Sequence, residues 1–498
     1  MNEQMLSIGQ LPRLPETSTS IPLRASPLPY SSPWSRFVSV VCVGILLASL
    51  TGILWLSLTV PKLQRFDEPD RALDVMVSRM MQAQDGLHHA PAWQQWVAKW
   101  TMDNQDEASR QAIRWYRELI AITDDPLAKL RLAILLGESK HAAEALAEAQ
   151  GWQGRGASAE SFRQLIVAAY GSAPLSKAQE TEFQAMLAET LPIGWFYDHL
   201  AARLAQRTGN HALLTTVEAQ RQMKEEQVQQ WIRPLMMGEL ACLALGSVIL
   251  LGILRLKSQR AKVLRLHSPG VPPPWSGGTA AAVILRGGAL GALLTIIFLS
   301  IPTFNQGSLR ALAIPLANLP LLAIAYVHLL KPAGLNFWQG FGLRIDRRDF
   351  GRLVCAILAV VAAALLGEWV IGQAAEFLQL ENHWTEWFDQ ELVWATPPML
   401  AISLVEYVIF APIFEELAFR GLLFAMLRRR FTFLPAALLS ATIFALAHGY
   451  SLLGFISVLW SGFLWAWIYD RTGSLIPGMI AHALNNLLVC LTVMALLR

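Results

Sequence analysis

Apolar residues in this chain fall into long runs with polar stretches between them. The runs lie at 37–60, 235–254, 279–301, 309–330, 353–377, 398–427, 434–448, 452–468 and 475–497. A helix needs roughly 20 apolar residues to cross the hydrocarbon core of a bilayer. The run at 37–60 contains no charge at all. The run at 434–448 is short, and is expected to lengthen into its flanks or to be partly re-entrant. The pattern predicts an all-α fold: a polytopic membrane helical bundle of about nine spans.

Residues 62–232 follow a different pattern, polar but with helical periodicity. Asp124-Asp125-Pro126 predicts a helix start, and Leu127, Leu130, Ile134 and Leu135 follow at helical spacing. Glycine and proline breaks at 151–156 and 192–194 divide the region into helical pieces. Arg131-Leu132-Ala133 with Gly137 recurs as Arg203-Leu204-Ala205 with Gly209. That spacing is close to twice the ~34-residue period of tetratricopeptide-type hairpins. An ordinary helical domain is the preferred reading; a true repeat would offer a groove for a protein partner. Residues 1–36 are rich in Pro, Ser and Thr and predict a disordered tail. The run at 37–60 begins late and is long for a cleaved signal, so it is expected to be an uncleaved anchor. The organisation is thus a tail (1–36), a first span (37–60), a helical domain (62–232), spans two to five (235–377) and a final membrane domain (397–497).

Composition supports a bilayer as the solvent. The 498 residues are 54% hydrophobic and 15% charged, against about 25% charged in a soluble domain. The net charge of +3 is small, but the basic residues are clustered. Arg255, Lys257, Arg260, Lys262 and Arg265 share one loop; Lys331, Arg344, Arg347, Arg348 and Arg352 share another; Arg428–Arg430 mark a third. Glu381, Glu386, Asp389 and Glu391 occupy a loop without Lys or Arg. The positive-inside rule then puts the tail in the cytoplasm and 62–232 outside, with Arg498 against the trend. No basic stripe interleaved with aromatics points to nucleic acid. Cys42, Cys242, Cys355 and Cys490 all fall in apolar runs, so the polar domain is no disulfide scaffold. With no organelle signal, the expected location is a bacterial inner membrane, multi-pass. Trp384, Trp387 and Trp394 are expected to form an interfacial belt.

Charge inside a membrane helix is costly and marks function. Glu415, Glu416 and Arg420 lie within one such run. An intrahelical pair of Glu416 with Arg420, four residues apart, accounts for two of them. Glu415 points about 100° away and is left over. His448 closes the next run, and His482 and Asn486 share a face of the last helix. A glutamate and a histidine can hold and deprotonate water, while a second histidine and an amide can stabilise an oxyanion. Those are the parts needed to hydrolyse a peptide bond without a covalent intermediate. Glu239, Glu368 and Glu406 are single acids, expected to be interfacial, paired or cavity-lining.

The motifs Glu415-Glu416-x-x-x-Arg420, Phe444-x-x-x-His448 and His482-x-x-x-Asn486 resemble those of the CAAX-protease and bacteriocin-processing family of intramembrane proteases. The resemblance covers about the last 100 residues, from Pro397 onward. It implies that Glu415 and His448 activate water, that His482 and Asn486 stabilise the oxyanion, and that Glu416 and Arg420 support them. It implies a membrane-associated peptide or protein as substrate. A glutamate-type mechanism without cofactor is the preferred reading. The other reading has zinc on Glu415, His448 and His482, although no His-Glu-x-x-His helix is present. The alternative to an enzyme is a membrane scaffold or chaperone of the same fold.

Overall fold

The structure, a computed structural model, describes residues 33–101, 105–154, 156–255, 264–266, 270–301 and 312–498. It is helical almost throughout, with no strand among the described residues. Most of the predicted tail, much of the 255–265 basic loop and the start of the run at 309–330 lie outside the described residues.

Helix α1 (Pro33–Thr59) leads into a set of shorter helices. These are α2 (Pro69–Leu87), α3 (Ala92–Thr101), α4 (Gln105–Thr123), α5 (Pro126–Glu138), α6 (Ala142–Gln150), α7 (Ala157–Tyr170), α8 (Lys177–Thr190) and α9 (Trp195–Thr208). α5 starts where the sequence placed it. The Asp125 carboxylate accepts from Leu127 N at 3.1 Å and Ala128 N at 2.9 Å, and Pro126 stands where no N–H is needed. Leu130, Ile134, Leu135 and Leu136 are fully buried, which makes α5 the central helix of this domain.

The two copies of the short repeat do different work. Gly137 lies inside α5, directly beneath the Tyr170 ring, where a side chain would collide. Gly209 ends α9 with φ at 69°, a left-handed cap. Arg131 pairs with Asp74, whereas Arg203 pairs with Glu138. The two matches therefore hold different places in their helices.

The boundary between the helical domain (62–232) and the second span (235–254) does not interrupt the helix there. A single helix, α10 (His211–Arg255), runs 45 residues from the domain into the apolar run and passes through Pro234. Proline removes one backbone bond, but a long helix packed on both halves tolerates that loss. Then come α11 (Gly277–Ser300), α12 (Ala313–Ala325, continued by tighter and wider turns to Ala333), α13 (Phe350–Phe377), α14 (Pro397–Leu427), α15 (Phe433–His448), α16 (Leu452–Thr472) and α17 (Ile476–Leu497). Among the described residues eight helices are long and apolar enough to cross a membrane, and α15, at 16 residues, is the short one anticipated. This is a multi-pass membrane protein. α1 begins at Pro33, so residues 33–36 are helix and not tail.

Small residues let the spans approach closely. Gly287 and Gly291 on α11 meet Leu321 and Ala317 of α12, and Gly246 of α10 packs on Leu358 and Ala362 of α13. Cys42, Cys242, Cys355 and Cys490 are all free thiols within helices.

The helical domain docks on the membrane bundle through an aromatic core. Trp384 is fully buried, stacked on Phe66 at 5.1 Å and edge-on to Phe388 at 5.9 Å. Trp394 sits under the Arg71 guanidinium at 4.8 Å. Only Trp387, 53% exposed, fits the expected belt. Trp384 and Trp394 depart from the belt because the loop at 381–394 lies between two packed units, not between protein and lipid. The same core includes Cys490, Val493 and Leu497 at the end of α17.

Candidate active site

Three segments build the site: the middle of α14, the end of α15 and the first half of α17. α14 is not a regular helix. It widens into π-helical turns at Glu406–Phe410 and Glu416–Phe424, a distortion that recurs at functional positions. Its first cause is legible. Ala411 N–H reaches back five residues to Glu406 O, and the next residue, Pro412, has no N–H to offer. The Tyr407 carbonyl instead accepts from Asn486 Nδ2 on α17 at 2.9 Å.

One turn before Asn486, His482 meets the paired glutamates. Its Nδ1 lies 3.0 Å from Glu416 Oε1, which also accepts from Arg420 Nη1 at 2.9 Å. Because a carboxylate only accepts, His482 donates from Nδ1 and presents Nε2 on its other side. Glu415 Oε2 stands 3.8 Å from that Nε2, too far for a direct hydrogen bond. Glu416 and Arg420 are about 1% exposed, while the Glu415 side chain keeps 25% exposure. The two adjacent carboxylates thus have different surroundings, one locked and one open.

Aromatic rings fix the rest. The Trp465 ring stacks on His482 at 5.9 Å and 16°. Phe444 touches three of the motif residues: the Arg420 guanidinium lies over its face at 4.2 Å, His448 is edge-on at 4.7 Å and His482 edge-on at 6.1 Å. Gly462 provides the space for Arg420, since a Cβ there would come within 3.0 Å of Nη2. Glu416 Oε2 and Arg420 Nε and Nη2 are buried without a hydrogen-bond partner among the described residues.

His448 ends α15, and its Nδ1 donates to the Phe444 carbonyl at 2.8 Å. That bond leaves Nε2 as the basic nitrogen. Gly449 turns the chain with φ at 66°, and its carbonyl accepts from Ser57 Oγ of α1 at 2.7 Å. The loop continues to Ser451, whose hydroxyl donates to Glu386 at 2.8 Å, and Lys62 pairs with the same carboxylate at 3.3 Å.

α17 reaches Glu416 because it starts from a buried turn. Thr472 and Ser474 are fully buried, the Ser474 hydroxyl donates to Gly342 O, and Leu475 N donates to Phe341 O at 3.4 Å. The segment at 337–343 covers that turn, so the helix begins below the protein surface and His482 lies deep after one and a half turns.

The structure thus joins Glu415, Glu416, Arg420 and His482 in one cluster, sets His448 across the Phe444 ring from it, and ties Asn486 to Tyr407. Glu368 is paired, accepting from Ser457 Oγ at 2.8 Å. Trp465, Tyr407 and Gly462 were not singled out by sequence reasoning. Trp465 carries a signal in retrospect, since a tryptophan in mid-run departs from the interfacial rule. No three His, Cys, Asp or Glu side chains among the described residues are grouped to hold a metal. Glu415, His448 and His482 do not come together as such a group.

Residues 397–488 match the family model described as type II CAAX prenyl endopeptidase Rce1-like. The match runs from the first turn of α14 into the middle of α17 and takes in every motif residue of the site. No curated protein and no solved structure matches the chain.

Proposed function

We propose that this chain, whose C-terminal membrane segment belongs to the CAAX-protease family, is an intramembrane endopeptidase acting on membrane-associated proteins or peptides. The observation that carries the reading is the unequal pair of carboxylates. Glu416 is consumed by Arg420 and His482, which leaves the half-open Glu415 as the group able to act on water.

The arrangement suggests a sequence of proton movements. Water held between Glu415 and His448 Nε2 gives a proton to Glu415 as its oxygen attacks the scissile carbonyl. The oxyanion is taken by His482, which donates from Nε2 when protonated, and by the Asn486 amide hydrogen that Tyr407 does not use. Glu415 then passes its proton to the leaving amine as the C–N bond breaks. Glu416 holds His482 by Nδ1, and Arg420 holds Glu416. In this reading hydrolysis needs only the chain's own residues, and the location is a bacterial inner membrane with the helical domain outside.

The rival reading keeps the fold as a scaffold without hydrolysis. Glu415→Gln and His448→Ala, expressed in cells that depend on the protein, separate the two. Loss of function in both supports the enzyme, and full function in both removes it.

A further inference from the structure

We infer that α3 is an interfacial anchor that seats the helical domain on the bilayer, with the boundary between lipid headgroups and acyl chains as its partner. α3 is ten residues long and divides into three sectors. Gln94, Val97 and Ala98 are buried against the protein. Gln95 and Lys99 lie on an exposed polar arc. Trp93, Trp96 and Trp100 fall within about 60° of one another, at ~100° per residue. They are 38%, 62% and 50% exposed. A stripe of three exposed indoles beside a polar arc, on a helix packed by its third side, is the pattern of a helix lying in a membrane interface.

Two sets of contacts independently place α3 at that level. Gln94 bonds Gln229, and its Oε1 accepts from Arg233 Nε at 3.3 Å. Both partners lie on α10 just before its apolar run begins at 235. At the other end, the Trp100 carbonyl accepts from Trp369 Nε1 at 3.2 Å and Gln373 Nε2 at 3.4 Å, both on α13.

The depth follows from helix geometry. Gly246 lies near the centre of the run at 235–254 and packs on Ala362. From Ala362, Trp369 and Gln373 are about 10 and 16 Å further along α13, at ~1.5 Å per residue. Half the hydrocarbon thickness is about 15 Å. The Trp100 end of α3 therefore meets the hydrocarbon boundary, where indole rings are most stable. Trp231 and Trp369, 70% and 43% exposed, extend the aromatic band on α10 and α13.

Spin labels at Trp96→Cys and Lys99→Cys test this. The four native cysteines are replaced, and the full chain is placed in nanodiscs of phosphatidylethanolamine and phosphatidylglycerol. Collision with oxygen, which partitions into lipid, is compared with collision with a water-soluble nickel chelate. The expected result is a several-fold lower chelate-to-oxygen collision ratio at 96 than at 99. Equal ratios at the two sites, both water-like, would overturn the inference. Low collision with both reagents at 96 would overturn it too, because a protein partner or a second copy would then cover the stripe. The Trp93→Phe/Trp96→Phe/Trp100→Phe chain guards against a label that perturbs the helix. Its tryptophan fluorescence should show a smaller fraction quenched by brominated lipid than the native chain, and an unchanged fraction would also overturn the inference.

Discussion

Glu416 has two partners, and replacing it should separate stability from catalysis. Its Oε1 takes Arg420 Nη1 at 2.9 Å and His482 Nδ1 at 3.0 Å in a site about 1% exposed. Glu416→Ala strands the Arg420 guanidinium, and breaking a buried pair from one side costs about 3–5 kcal/mol. Arg420→Met strands Glu416 and should cost about the same. Changing both, as Glu416→Leu with Arg420→Met, removes both desolvated charges, and such replacements are often near neutral. The double variant should then unfold close to the wild type. His482 would still have lost the acceptor that orients it, and activity should fall by about 10²–10⁴-fold, the range for removing a group that orients a catalytic histidine. Thermal unfolding in nanodiscs and cleavage in membranes would be read on the same four proteins. A double variant with wild-type stability and wild-type activity would refute the argument, since Glu416 would then serve Arg420 alone. Single variants as stable as the wild type would refute the buried pair itself.

Three further outcomes are expected. In the helical domain, burial disfavours the charged form of Glu138, but hydrogen bonds from His199 and Arg203 outweigh it and bring its pKa down to about 2. Burial likewise disfavours charge on His199, yet its bonds to Asp85 and Glu138 leave its pKa raised. The Glu138 contribution is present above the unfolded value of about 4.5 and is lost as pH falls toward 2; that of His199 is full below about 6.5 and is lost as pH rises through its folded value. Protection of α9 amides from hydrogen exchange, taken relative to the intrinsic rate at each pH, should therefore be greatest between about pH 4.5 and 6.5, and His199→Gln should flatten the alkaline side of that profile. Trp384→Ala should cost about 3–5 kcal/mol of domain docking, read as faster proteolysis between α1 and α2; an unchanged rate would deny that the aromatic core joins the two units. Cleavage should survive strong chelators, and loss that added zinc restores would contradict the reaction sequence proposed above.

The candidate site stands out in the chain more plainly than the contacts that hold it. Glu415, Glu416, His448, His482 and Asn486 stand out because polar groups in apolar runs are conspicuous whatever the tertiary packing. Their partners are set by packing, which a linear pattern does not carry. The adjacency of Glu416 to Arg420 is local and was readable, whereas its bond to His482 joins α14 to α17. The buried turn before α17 is covered by 337–343, a contact between distant parts of the chain that the run itself does not show. Trp384 reads as interfacial from its loop, but the loop is closed by Phe66 from the helical domain. In each case a long-range contact overrides the local signal. Where the signal is itself local, as with the Asp125 cap or the short α15, sequence and structure agree.

The central claim is that Glu415 acts on water to cut a peptide bond within the membrane. Its most direct test is mass-spectrometric mapping of new termini on membrane proteins and peptides from cells carrying the wild type, Glu415→Gln or His448→Ala at equal abundance. A set of termini should be present with the wild type and missing with both variants. Identical sets of termini from all three strains would contradict it.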